Sequence, residues 1–205
     1  MPALTADRSP GQLVAEFDRL IGVDWPTVWA GVPQDPTGRA HWCAGFGWRA
    51  LWFESGLWVR TAEGGRLLLA SDAPGHPVAR VEHTVWAGRA EDPVENRRVE
   101  ELAEARWSAC LDALNGTMGF PRWEGRWDAP DVPEPPGHGP WHDLRRRREH
   151  KDPYRAALWW FSVPQAPVIQ LRMTLAPGTP SGPTVANARI TLACHGPAAQ
   201  KGDAR

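Results

Sequence analysis

The sequence contains little lysine, little tyrosine and few cysteines. Its 205 residues include two lysines beside 21 arginines, one tyrosine, and three cysteines at positions 43, 110 and 194. Three cysteines without a CxxC spacing do not make a disulfide framework, so we expect free thiols and a reducing cytoplasm. The preference for arginine over lysine is typical of a GC-rich bacterial genome.

The chain also lacks long apolar runs and a strong net charge. No stretch approaches the roughly 20 apolar residues that span a bilayer, and residues 1–13 have no apolar core of signal-peptide length. The formal net charge is −1, whereas a dedicated nucleic-acid binder carries a basic surface for phosphate contacts. We therefore expect a cytoplasmic protein that has neither a membrane nor a nucleic acid as its partner.

Common catalytic and metal-binding motifs are missing as well. The sequence has no GxSxG, Walker loop or HExxH, and no dinucleotide fingerprint between a strand and a helix. His41-x-Cys43 and Cys194-His195 lack the ligand spacing of structural zinc sites, so we expect no metal and no cofactor. A nucleophilic Cys/His pair, which only folding brings together, stays open.

Two long helices are marked by their caps. Ser9-Pro10-Gly11-Gln12 is a capping box and predicts a helix over 9–21. Asp92 before Pro93, followed by apolar residues at helical spacing, predicts a helix over 93–115. Two short helices are predicted between them, at 24–29 and 40–46.

Strand periodicity dominates the rest of the chain. Seven strands are predicted, at 48–54, 57–63, 66–71, 78–87, 154–163, 167–175 and 184–194. This order predicts one α+β domain over 1–205, with an antiparallel meander sheet of about seven strands and two main helices on one face. Residues 129–153 are predicted to be a Pro-rich and basic insertion, and the ends 1–8 and 197–205 to be disordered.

Tryptophan is abundant, with 13 copies, and several lie in the first predicted hairpin. Two-residue turns at Ser55-Gly56 and Gly64-Gly65 would set its register. The sheet face away from the helices would then carry Arg49, Phe53, Trp58 and Arg60 beside leucines. Such a face is too apolar to be solvated. It is either covered by the chain's own loops or is a binding surface, since Trp and Arg are enriched at binding hot spots.

One dense positive run follows the proline-rich segment. It comprises Trp141, Arg145, Arg146, Arg147 and Arg148. Three interpretations stay open, namely a solvated loop, a contact for an acidic protein surface, and a thin nucleic-acid patch. Together with Arg49, Phe53, Trp58 and Arg60, these residues form the predicted partner-binding set.

The order of these signals resembles small high-GC actinobacterial, streptomycete-type families of unknown function. The matching residues are Ile21-Gly-Val-Asp24-Trp25, Gly47-Trp48, Asp92-Pro93 and Ala157-Leu158-Trp159, and only 129–153 departs from the pattern. Those families look like immunity proteins of polymorphic toxin systems. The resemblance implies a cytoplasmic, non-enzymatic protein that neutralises one toxin by binding it. It implies no catalytic residue, because the matched positions are core and turn positions.

We therefore expect a non-enzymatic binding protein, namely an immunity protein that occludes a cognate toxin. The alternative is a small-molecule-binding or enzymatic α+β domain with a pocket lined by tryptophans. A third interpretation is a subunit that dimerises through its second sheet face, so monomer and homodimer both stay open.

Overall fold

The computed structural model describes residues 1–133, 144–163, 165–179 and 184–196, and shows the predicted α+β domain. Its helices are α1 (Pro10–Ile21), α2 (Trp25–Ala30), α3 (Pro36–Gly45), α4 (Asn96–Met118) and α5 (Leu144–His150), with a 3-10 turn at Pro93–Glu95. None of the helices in these ranges combines the length and apolarity needed to cross a membrane.

Nine strands in the described residues form one antiparallel sheet. They are β1 (Ala3–Asp7), β2 (Arg49–Phe53), β3 (Leu57–Arg60), β4 (Arg66–Ala70), β5 (Arg80–Arg89), β6 (Trp123–Arg126), β7 (Arg155–Trp159), β8 (Val168–Ala176) and β9 (Asn187–His195). The order is β2-β3-β4-β5-β9-β8-β7-β6, with β1 beside the second half of β5. Two meanders therefore meet at the central β5–β9 pair, and β2 and β6 are the edges.

Both long helices form, although the second, predicted over 93–115, begins with a 3-10 turn and continues to Met118. The Ser9 hydroxyl accepts from the Gln12 amide at 3.2 Å, and the Gln12 side chain accepts from the Ser9 amide at 2.9 Å. Asp92 caps the 3-10 turn that leads into α4. One stripe of α4 is buried against β5, β8 and β9, and α1 packs beside α4. The stripe consists of Val99, Ala103, Trp107, Cys110, Leu111 and Leu114.

Two strands were not predicted. Residues 1–8 were expected to be disordered, yet Ala3–Asp7 forms a strand that pairs with β5. Asp7 also forms an ion pair with Arg106 of α4, with the nitrogen and oxygen 2.6 Å apart. Trp123–Arg126 pairs with β7 as an edge strand. The predicted disorder of 197–205 falls outside the described residues.

The register of the first hairpins also differs from the prediction. The β3–β4 connection is a five-residue loop, 61–65, in which the Thr61 hydroxyl accepts from the Gly65 amide at 3.0 Å. This shifts β4 by an odd number of residues, so Leu67 and Leu69 face the helices and Leu68 faces away.

A bulge has the same effect in β2. It lies between Ala50 and Phe53, so Phe53 turns toward the core and Trp52 turns outward, the reverse of the prediction. We call the helix-covered side of the sheet the inner face and the opposite side the outer face.

Candidate functional site

The outer face carries a basic and aromatic cluster at the β2 edge of the sheet. We call it the Arg–Trp patch, and it consists of Arg49, Trp52, Trp58, Arg60 and Arg66. The two indoles stack with ring centroids 5.9 Å apart. The Arg66 guanidinium carbon lies 5.9 Å from the centroid of the Trp52 ring, and 45% of Trp52 is exposed. Large aromatic surface and guanidinium groups therefore lie together at the solvent.

The three arginines of the patch stand in one row across three strands. Arg49 is the direct cross-strand partner of Arg60, and Arg60 is the partner of Arg66. All three are exposed, and none forms an ion pair within the described ranges. Like charges placed directly opposite each other destabilise a sheet. The row therefore weakens the isolated domain and favours an anionic surface placed against it.

The predicted partner-binding residues divide into three groups. Arg49, Trp58 and Arg60 lie in the Arg–Trp patch as expected. Phe53 does not, because the β2 bulge turns it inward, where it packs half-buried against the core. Trp141 lies outside the described residues.

The basic run does not join the patch. Arg145 and Arg148 are exposed on α5, and Arg146 belongs to α5 but its side chain lies outside the described part. Arg147 is 7% exposed and faces the sheet, so it cannot serve as a surface contact. Its contacts lie over β6 to β8, and five strand spacings separate β3 from β7, roughly 24 Å. The run and the patch are therefore two separate regions of the outer face.

An apolar cavity of about 550 Å³ opens at one end of the molecule. The end of α1, the start of α2, the end of α4 and the segment after β7 enclose it. Its apolar wall includes Phe17, Leu20, Ile21, Trp25, Met118 and Ile169, and Asp24, Thr117 and Gln165 are its polar lining residues. Its size lies within the range of small-molecule sites.

The fold places Cys194 and His195 on opposite faces of the sheet, so they do not form a nucleophilic pair. Cys194 lies in the wall of the apolar cavity on the inner face, whereas His195 lines a crevice on the outer face. Burial raises the pKa of Cys194 to about 12 and that of Cys43 and Cys110 to about 11, so these thiols are poor nucleophiles at neutral pH. Among the described residues, no three His, Cys, Asp or Glu side chains gather as metal ligands.

A buried polar cluster lies between α1 and the sheet. Glu16 is 1% exposed, accepts from the Thr61 hydroxyl at 2.8 Å and lies 3.9 Å from an Arg8 nitrogen. His83, 2% exposed, donates from Nδ1 to the Arg66 carbonyl at 3.0 Å. Burial lowers the pKa of His83, so its imidazole is neutral at neutral pH. The cluster fastens α1 to the β3–β4 loop.

Sequence reasoning missed two members of the patch. Trp52 was assigned to the inner face, and Arg66 was not considered. Gly56 was read from the sequence as part of a two-residue turn. Its positive φ of 132° and its close approach to the Leu69 carbonyl, which leave no room for a Cβ, are visible only in the fold. A turn built in this way does not force the two-residue register.

Comparison with protein-family models, with curated proteins and with solved structures finds no match for this chain.

Proposed function

We propose that this protein is a non-enzymatic binding protein that docks an acidic protein surface on its Arg–Trp patch. The proposed partner is a cognate bacterial toxin, which the domain would neutralise by occlusion as an immunity protein. The observation that carries the proposal is the row of Arg49, Arg60 and Arg66, exposed and without carboxylate partners in the described residues, beside two stacked indoles.

Charge complementarity selects the kind of partner. Arginine binds carboxylates through two parallel hydrogen bonds, so a row of three fits a surface rich in Asp and Glu. Trp52 and Trp58 add large apolar area that is already ordered by stacking, so little side-chain entropy is lost on binding. The nine-stranded sheet holds the patch rigid, as occlusion of another protein requires.

Reversing one charge of the row tests the proposal. Arg60→Glu is expected to weaken binding of the cognate toxin, which is sought among the products of neighbouring genes, by about 2 kcal/mol, or roughly 30-fold in Kd. Its melting temperature should stay within a degree or two of wild type or rise, because Arg60 is exposed and the change relieves like-charge repulsion. Isothermal titration calorimetry and thermal melting measure the two quantities.

Arg189→Glu is the matched control, since Arg189 is exposed on β9 outside the patch. It should bind the toxin like wild type. Equal affinities of Arg60→Glu and Arg189→Glu would contradict the proposed patch. A loss of stability in Arg60→Glu alone would assign the arginine row to folding instead.

The apolar cavity favours a second candidate function, the binding of a small apolar molecule. Three large apolar side chains near it are exposed, with Ile21 at 58%, Phe161 at 44% and Val163 at 64%, and all three line the cavity. Trp25 stacks on Trp29 at 4.8 Å and gives the wall a rigid aromatic surface. The cavity differs from the predicted tryptophan-lined pocket, because among the described residues Trp25 is the one tryptophan in its lining.

A charge placed in the cavity mouth tests whether an apolar ligand binds in the cavity or at exposed apolar side chains elsewhere on the surface. Ile21→Glu is expected to weaken binding of the uncharged dye Nile red about tenfold, because ligand binding would then desolvate a carboxylate. Phe120→Ser is the control, since Phe120 is 87% exposed and does not line the cavity. Fluorescence titration measures both. If the dye binds both variants equally, the cavity is not its site.

A further inference from the structure

A second site lies on the outer face, beneath α5. There the helix and the sheet enclose a crevice of about 70 Å³. Its polar lining residues include Arg80, Trp123, Arg147, Gln170, Arg172 and His195. The crevice is far richer in positive charge than in negative charge.

The register of the strands brings most of these lining residues side by side. Arg80 is the direct cross-strand partner of His195. Gln170 and Arg172 are two residues apart on β8 and so share a face. Gln170 also connects through Leu158 of β7 to Trp123 of β6 in one cross-strand line. The groups are therefore fixed by strands, and α5 adds Arg147 from above.

Arg147 is the unusual member. It is a guanidinium that is 93% buried, being 7% exposed, and within the described part of the chain no carboxylate pairs with it. One terminal nitrogen donates to the carbonyls of Trp127 and Ala129 at 3.5 and 3.3 Å, which are long bonds. Its Nε has no hydrogen-bond partner. A buried cation without a counter-charge is costly, so this arrangement favours an anion.

Neighbouring groups point to the same chemistry. The Nε of Arg172 and the Nε1 of Trp123 are also buried donors without hydrogen-bond partners. Arg172 pairs with Asp152, and Arg80 with Glu82 at 2.7 Å, so two of the four guanidiniums that line the crevice are neutralised. The surplus positive charge is that of the buried Arg147 and of the exposed Arg126, whose guanidinium carbon lies 4.6 Å from the centroid of the Tyr154 ring.

We propose that this crevice binds a small oxyanion, a single phosphate or carboxylate group. Guanidinium groups recognise both through paired hydrogen bonds, and the indole N–H adds a neutral donor. Because one water occupies about 30 Å³ in the liquid, a crevice of about 70 Å³ admits one such group and excludes a nucleotide base. The proposal is independent of the toxin-binding proposal, since the Arg–Trp patch contributes none of these residues.

Inorganic phosphate, with acetate as a second arm, tests the proposal on the full chain. Each is titrated at constant ionic strength against chloride, and the melting temperature and the heat of binding are recorded. At tenfold excess over its Kd, the preferred anion should raise the melting temperature of the wild type by about 3–6 °C. The anion that binds more tightly shows whether the site prefers the tetrahedral phosphate or the planar carboxylate.

The variant Arg147→Met removes the charge and keeps the length of the side chain. It should melt at or above the wild-type temperature in chloride, because a buried unpaired charge is gone, and bind the anion at least tenfold more weakly. Arg148→Met, an exposed neighbour on α5, should bind like wild type. Arg60→Glu should also retain anion binding.

Arg172→Met supplies an independent measurement if Arg147→Met does not fold, and is likewise expected to weaken binding at least tenfold. The proposal is overturned if neither anion gives saturable binding to the wild type, or if the folded crevice variants bind as tightly as Arg148→Met.

Discussion

Replacing Trp107 by alanine is expected to lower the free energy of unfolding by about 3–5 kcal/mol, the loss typical of large core side chains. Trp107 is fully buried in the α4 stripe, where the helix crosses the centre of the sheet. For a chain of this size the loss corresponds to a fall in melting temperature of about 6–20 °C. Urea unfolding and thermal melting measure it.

Two controls define the cause of that loss. Ser108→Ala changes the exposed residue next in the helix and should alter the free energy of unfolding by less than about 0.5 kcal/mol. Trp107→Phe keeps an aromatic ring and removes the indole N–H, which has no hydrogen-bond partner. Its loss should therefore be much smaller than that of Trp107→Ala. If Trp107→Ala and Trp107→Phe lost the same free energy of unfolding, packing of the aromatic ring would not explain the stability that Trp107 provides.

The sequence predicted the two long helices because their signals are local. The Ser9 to Gln12 capping box and the Asp92 cap lie within one turn of the helices they start, and the stripe through Trp107 repeats at helical spacing. The α+β architecture follows from the same kind of signal, since strands of period two flank one long helix.

The missed strands depend on distant partners. Ala3–Asp7 is short and half polar, and it becomes a strand only because the second half of β5 extends beyond β4 and offers it a ladder. Trp123–Arg126 contains Gly125, which reads as a turn residue. In the fold a Cβ there would meet the Trp123 ring at 2.4 Å, so the glycine makes room for the indole.

The candidate site depended on register, which the sequence specified only in part. Alternation correctly placed Arg49, Trp58 and Arg60 on one face, and it placed Gln170 and Arg172 outward. The β2 bulge and the five-residue loop at 61–65 then exchanged Phe53 for Trp52 and brought Arg66 into the row. A single-residue change in a turn reverses a strand's faces, and turn glycines do not reveal how many residues the loop contains.

Replacing Glu16 by alanine is expected to lower the free energy of unfolding by about 3 kcal/mol, because it removes one member of a buried ionic network and leaves the others unpaired. The Thr61 hydroxyl would lose its acceptor at 2.8 Å, and Arg8 would keep only its bond to the Glu63 carbonyl, also 2.8 Å. The estimate is at the low end of the range for buried pairs, since Arg8 and Glu16 are 3.9 Å apart.

Two further variants separate charge, hydrogen bonding and surface effects in this network. Glu16→Gln keeps an acceptor for Thr61 and should lose less, about 1–2 kcal/mol. Glu63→Ala breaks the ion pair of Glu63 with Arg19, which is 59% exposed, and should cost below about 1 kcal/mol. All three are compared by urea unfolding at neutral pH, where His83 is neutral and adds no charge of its own. If Glu16→Ala unfolds no more easily than Glu63→Ala, the buried cluster does not fasten α1 to the sheet, and apolar packing alone holds the helix in place.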